Sequence, residues 1–277
     1  MLHVVARTVS HRLLFTTWAE GLEVFDLLVA RVPELHALCV MPDHLHVLAP
    51  VDVRARVGRA LGGLARRRNH REGRAAALVH PLPRAVAVSG ASKQRRSVRY
   101  VHLNPCRAGL VDDPLAWPLS THRDAVGLTW PPVGPRRQAG RFHAYVSGDP
   151  TAQVAGTPLP LEGNRVEALD DVLRAVSVVT RVRGDRVARV AEARGLLRAA
   201  VDDLAPTSHR ALARWLGVSR TTLARSPAPP REARRMVARV AEDPRFGPLD
   251  DGWLLGLPGW ERYRRREGGR GGFSRRF

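Results

Sequence analysis

A change of hydrophobic period part-way along the chain constrains the fold most. Up to about residue 125, short alternating apolar runs are interleaved with stretches at helical spacing; beyond about residue 164 only the helical period remains. Residues 129–163 lie between, rich in Pro and Gly (WPPVGP, GDPTAQVAGTPLP), and cannot carry a long helix or a central strand. This pattern predicts a mixed α/β domain over 1–128, a connection over 129–163 and an all-α domain over 164–246. An Arg/Gly-rich tail over 247–277 is expected to fray from about Gly259. At 277 residues and 44% hydrophobic, the chain is long and apolar enough for two cores. The Pro/Gly connection further predicts that the helical domain is an independent anchor, so that truncation near residue 150 leaves a folded first domain.

Within the first part, Leu2–Ser10 reads as a strand and Trp18–Val32 as a helix, with Leu22, Phe25, Leu28 and Val29 on one face. Glu34–Val40 and Leu45–Ala49 are strand-like runs joined through Met41-Pro42-Asp43. Val53–Arg71 is a basic helix with Val57, Leu61 and Leu64 along one side, and Ala85–Ser89 is a further strand candidate. Ser92–Leu103 reads as a helix that halts at Asn104-Pro105, because proline disfavours a helical predecessor. A short basic helix, Arg136–Val146, is expected inside the connection.

Charge narrows the function classes. Lys+Arg is 45 and Asp+Glu 26, a net +19, which points to a polyanionic partner, most often nucleic acid. Lys93 is the only lysine, so the choice of Arg over Lys reflects base composition; the excess of charge does not. Two cysteines, Cys39 and Cys106, exclude a disulfide framework and a Cys-rich zinc site. Without a signal peptide or a long apolar run, the expectation is a cytoplasmic protein with no membrane partner.

Two stretches carry chemistry. In Pro42-Asp43-His44-Leu45-His46-Val47-Leu48, His44 and His46 stand two apart on a strand, so both imidazoles share a face and suit a divalent cation. Taken alone, the pair also fits two ordinary polar residues on a solvent face. In Arg99-Tyr100-Val101-His102-Leu103-Asn104-Pro105, Tyr100 and Asn104 are one helical turn apart. A phenolic oxygen can attack a phosphodiester when a cation offsets the phosphate charge, and an amide oxygen one turn away can complete that cation's shell. Taken alone, this segment also fits a half-buried tyrosine packing its helix, with Asn104 as a plain stop before Pro105.

Together these stretches resemble the single-tyrosine HUH transposases, and within them the REP-associated tyrosine transposases. MPDHLHVLAP resembles the family's histidine–hydrophobic–histidine strand. RYVHLNPCRAGLV, followed by PLAWPLSTHRD, resembles the stretch carrying the nucleophilic tyrosine. The resemblance covers roughly residues 1–125 and implies a ferredoxin-like α+β sandwich that nicks and rejoins single-stranded or hairpin DNA through a 5′-phosphotyrosine. By position it implies Tyr100 as nucleophile, His44, His46 and Asn104 as metal ligands, and Mg²⁺ or Mn²⁺ as the cation. A domesticated copy that recognises hairpin or repeat DNA without cutting it is the alternative.

Two further segments are expected to bind DNA. Arg54, Arg56, Arg59, Arg66, Arg67, Arg68 and Arg71 crowd the helix after the histidine strand and would contact phosphates; a solvated charged face is the plainer reading. SHRALARWLGVSRTTLAR (residues 208–225) reads as a helix-turn-helix of an all-α domain, with Gly217 in the turn and Ser219 capping the second helix. It loosely resembles the DNA-binding domains of the Trp-repressor and replication-initiator type. Arg220, Thr221, Thr222 and Arg225 would face a duplex groove. The assembly expected is a monomer or a homodimer.

Overall fold

The computed structural model describes residues 1–9, 12–73, 77–150, 152, 154, 158–161, 163, 166 and 168–268. It opens with β1 (Leu2–Arg7), α1 (Trp18–Arg31), β2 (Ala37–Val40), β3 (His44–Ala49), α2 (Arg54–Glu72) and β4 (Val86–Ala87). The four strands form one antiparallel sheet in the order β2-β3-β1-β4. Ser10, the expected end of the first strand, lies outside the described residues.

Register decides which side chains share a face. Val5 and Cys39 lie opposite His46, and Arg7 lies opposite His44. Alternation then puts His3, Val5, Arg7, His44 and His46 on one face, and Val4, Ala6, Leu45 and Val47 on the other. The second face is buried in one core with Phe25 and Leu28 of α1 and Val57, Leu61 and Leu64 of α2, helices that also pack on each other. α1 starts where Thr17 accepts from Glu20 N at 3.2 Å, while Glu20 accepts from Thr16 N at 2.8 Å, so two otherwise unpaired donors are satisfied.

The histidine face is covered by α3 (Ala91–Arg107), which packs on β2 and β3. This helix does not halt at Asn104-Pro105 as its sequence suggests; it continues to Arg107 with Pro105 inside it. Pro105 has no N–H for the Val101 carbonyl one turn back. The Asn104 side-chain amide sits beside that carbonyl at 3.4 Å and also donates to Tyr100 O at 2.9 Å, so a neighbouring side chain replaces the lost donor.

The rest of the chain is helical: α4 (His122–Ala125), α5 (Ala139–Ser147), α6 (Leu169–Thr180), α7 (Gly184–Val187), α8 (Ala191–Leu204), α9 (His209–Trp215), α10 (Arg220–Ala224), α11 (Arg231–Val240), α12 (Asp251–Gly256) and α13 (Glu261–Gly268). α6, α8 and α11 form a second core around Val172, Val176, Leu197, Val201, Met236 and Val237. Among the described residues, no helix is long and apolar enough to cross a membrane.

Two expectations about organisation are corrected. First, the segment from residue 247 is not a frayed tail up to its last described residue. Leu249, Leu254, Leu257, Trp260 and Tyr263 belong to the first core. Trp253 stacks on Trp18 at 5.4 Å, and Trp260 lies 5.9 Å from Phe15. Trp18 N donates to Asp251 at 2.8 Å. At Gly259 an added Cβ would lie 2.6 Å from the Gly109 carbonyl oxygen, so only glycine allows this approach. Large aromatics override the local Arg/Gly composition here; residues 269–277 of the expected tail lie outside the described residues.

Second, the helical unit is not a loosely tethered anchor. Leu115, Val126 and Leu128 are part of its core. Arg181 pairs with Asp124, both nearly inaccessible, and its guanidinium lies 4.6 Å from the Phe25 ring centroid. The described part of the 129–163 connection is itself docked: Val133 N donates to Asp124 at 2.9 Å, and Phe142 packs against both main cores.

Candidate active site

The site is built where β1, β3 and α3 meet. His44 and His46 lie side by side, with ring centroids 5.0 Å apart and rings nearly perpendicular. The Tyr100 ring stands 5.4 Å from His46, again edge to face. Asn104 lies one turn further along α3, close enough to His46 to act on the charge of its ring. The four residues singled out in the sequence are therefore neighbours in space.

Each histidine has one ring nitrogen engaged. His44 Nδ1 is 2.7 Å from Asp43 Oδ1, and His46 Nδ1 is 2.9 Å from His3 Nε2. The Nε2 atom of His46 is buried and has no hydrogen-bond partner. A buried polar nitrogen without a partner is costly. Burial, with smaller contributions from His44, His3 and Arg7, holds the His46 pKa down to about 2. The ring is thus neutral at physiological pH, the form in which imidazole ligates metals. A carboxylate behind one ring and an imidazole behind the other fix both orientations, as outer partners do around metal-bound histidines.

His3 is the residue that sequence reasoning missed. It stacks on His46 at 5.1 Å and stands 6.4 Å from Tyr100. Only the register of β1 against β3 reveals it, and the alternation of Leu2–Arg7 alone does not supply that register.

Tyr100 is 38% exposed, so its ring rests on the histidines while part of it faces solvent. The Arg107 guanidinium lies 4.9 Å from the Tyr100 ring centroid. Asp149, itself nearly buried, anchors both Arg107 and Arg99 at 3.1 Å. A cation is thereby held beside the phenol.

Donor chemistry decides whether a divalent cation fits. Two neutral imidazoles suit later first-row cations such as Fe, Ni, Cu and Zn, and an amide oxygen suits Mg²⁺ and Mn²⁺. Among the described residues, no group of three or more His, Cys, Asp or Glu side chains is arranged to hold a metal. His44, His46 and Asn104 are the neighbouring side chains whose donor atoms such a cation could use, and the buried Nε2 of His46 is without a partner among the described residues.

The basic helix needs correction. Arg68 is buried, 4% exposed, with one guanidinium nitrogen 3.4 Å from Leu13 O, so it is not a surface phosphate contact. Its place in the helical period puts it with Leu61 and Leu64 on the inner face of α2. Arg54, Arg56 and Arg67 pair with Asp52, Glu34 and Glu23 at 2.7, 2.8 and 2.8 Å. Arg59, Arg66 and Arg71 are exposed. All lie across the sheet from Tyr100, because α2 covers the opposite face.

In the helical unit, Ser208 and Ser219 cap α9 and α10, accepting from Ala211 N at 3.3 Å and Thr222 N at 2.9 Å. Gly217 takes φ 67° in the turn between them, and Ala213 and Leu223 are buried. Arg220, Thr221, Thr222 and Arg225 are all exposed. Comparison with protein-family models, with curated proteins and with solved structures returns no match.

Proposed function

We propose that this protein is a tyrosine-dependent strand transferase acting on single-stranded DNA, of the single-tyrosine HUH type. The observation that carries the reading is the convergence of His44, His46 and Tyr100, with a buried, unpartnered Nε2 on His46. The strand–helix–strand–strand–helix–strand order and the sheet order β4-β1-β3-β2 support a ferredoxin-like sandwich as its frame. His44, His46 and Asn104 would hold Mg²⁺ or Mn²⁺, which supplies neutralisation of charge on the scissile phosphate.

The protein's own groups do the rest. The Tyr100 oxygen attacks phosphorus and gives up its proton; the bond to the 3′ oxygen breaks, and that oxygen leaves as a free 3′-OH. The phosphodiester energy is kept in the 5′-phosphotyrosine, so a 3′-OH from another strand end reverses the step without a nucleotide cofactor. Arg107, fixed by Asp149, neutralises the phosphate from the phenol side. His3 and Asp43 keep the two ligand rings in place.

The caps, the turn and the exposed residues of α10 support duplex binding by a helix-turn-helix, with Arg220, Thr221, Thr222 and Arg225 toward the groove. The test is cleavage of an end-labelled single-stranded hairpin with and without Mn²⁺. Cation-dependent nicking that is lost in Tyr100→Phe is expected. Tight binding with no nicking under any divalent cation overturns the transferase reading in favour of a DNA-binding protein that does not cut.

A further inference from the structure

Away from the tyrosine, a cavity of about 350 Å³ opens between the first half of α3 and α5. Its size is at the lower end of the range for small-ligand sites. Three arginines line it: Arg95 from α3, Arg137 just before α5, and Arg141 from α5. No carboxylate lines it, and among the described residues none of the three makes an ion pair. Arg141 donates only to the Gln138 side chain, at 3.3 Å. Arg137 is the telling residue: its Nε and Nη2 are buried without a hydrogen-bond partner. Three like charges gathered around one cavity repel one another, and a buried guanidinium with open N–H groups is costly. An anion in the cavity offsets that repulsion.

The remaining lining says what the anion is attached to. Phe142 and Tyr145 stand one turn apart on α5 and form an aromatic wall. Each already carries a guanidinium, Arg137 at 5.1 Å from the Phe142 centroid and Arg99 at 4.8 Å from that of Tyr145. Gln94 adds an amide able both to donate and to accept. Cations for a phosphate, flat rings for a planar heterocycle and an amide for its edge make a set suited to a nucleotide.

We infer that this cavity binds one nucleoside monophosphate unit, with its phosphate on Arg95, Arg137 and Arg141 and its base against Phe142 and Tyr145. The unit comes either from a free nucleotide or from one unpaired residue of a DNA strand. None of these residues belongs to the Tyr100 site, and binding is measured without cleavage.

The test is calorimetric titration of the full chain with each of the four deoxynucleoside monophosphates, with inorganic phosphate, and with a short single-stranded oligonucleotide. It is repeated on Arg95→Gln/Arg141→Gln, two exposed positions, and on Arg137→Met, which removes the unpaired buried charge and leaves the fold intact. At least one nucleotide or the oligonucleotide should bind, more than tenfold weaker in both variants, with thermal unfolding no lower than in the unaltered chain. Loss in the free-nucleotide arm assigns the site to a soluble ligand; loss in the oligonucleotide arm alone assigns it to a strand. Equal affinity for inorganic phosphate overturns the base contact. Affinities unchanged in both variants, or no binding in either arm, overturn the site.

Discussion

Trp260→Ala tests whether the C-terminal segment is part of the first core. Trp260 is 1% exposed and lies 5.9 Å from Phe15 and 5.8 Å from Tyr263. Truncating a buried tryptophan removes its transfer free energy and leaves a cavity, a loss of about 3–5 kcal/mol. For a chain of this size that lowers the midpoint of thermal unfolding by roughly 6–15 °C. Deleting everything after residue 246 goes further, because Leu249, Leu254, Leu257 and Tyr263 leave with Trp260. At roughly 1.5–3 kcal/mol for each side chain, the deletion removes about 8–15 kcal/mol, comparable to the whole stability of a typical domain. Urea unfolding followed by tryptophan fluorescence and far-UV circular dichroism reads both changes. Trp260→Ala should unfold at clearly lower urea, and the chain ending at residue 246 should show no cooperative transition in its first core. A truncated chain that unfolds cooperatively at the full-length midpoint would refute the reasoning and restore the frayed-tail picture.

Three other perturbations have defined outcomes. Burial holds His102 down to about 3 and His122 well below its ordinary range, so the unfolded chain binds more protons below pH 6.5 and stability falls with pH. At about 1.4 kcal/mol per pH unit for each group, the pair costs about 4 kcal/mol on going from pH 7.5 to 5, read as a falling urea midpoint; a flat profile contradicts the buried neutral rings. Asp124→Ala strands the buried Arg181 charge and removes the acceptor of Thr129 and Val133, so about 3–5 kcal/mol should be lost, and a change below about 1 kcal/mol would mean the pair is wet. Arg220→Ala should weaken duplex binding by about 1–3 kcal/mol in an anisotropy titration if the side chain reads a base edge, while leaving single-turnover cleavage at saturating DNA unchanged. Duplex affinity that does not move removes α10 from the groove.

Much of the first unit was legible because its pattern is local. The alternation of Leu45–Ala49, the helical stripe Val57-Leu61-Leu64 and the one-turn spacing of Tyr100 and Asn104 each need no distant partner. What was not legible depends on long-range pairing. His3 enters the site only through the β1–β3 register, and Trp253 and Trp260 find Trp18 and Phe15 across more than 200 residues. The false stop at Asn104-Pro105 has a different origin. Proline's local rule predicts a stop, but the Asn104 side chain supplies the missing donor, a compensation that sequence rules do not count. Arg68 stands among basic neighbours in the sequence, yet its place in the helical period puts it on the inner face with Leu61 and Leu64.

The most direct test of the strand-transferase reading is mass spectrometry of the protein after incubation with a single-stranded hairpin substrate and Mn²⁺. The account predicts a covalent adduct whose mass equals the 5′-phosphorylated product strand, mapping after digestion to the peptide that contains Tyr100. The adduct should be absent in Tyr100→Phe and strongly reduced in His46→Ala. An adduct on Tyr145 or Tyr263, or cleavage that continues in Tyr100→Phe, would contradict the assignment of Tyr100 as the nucleophile.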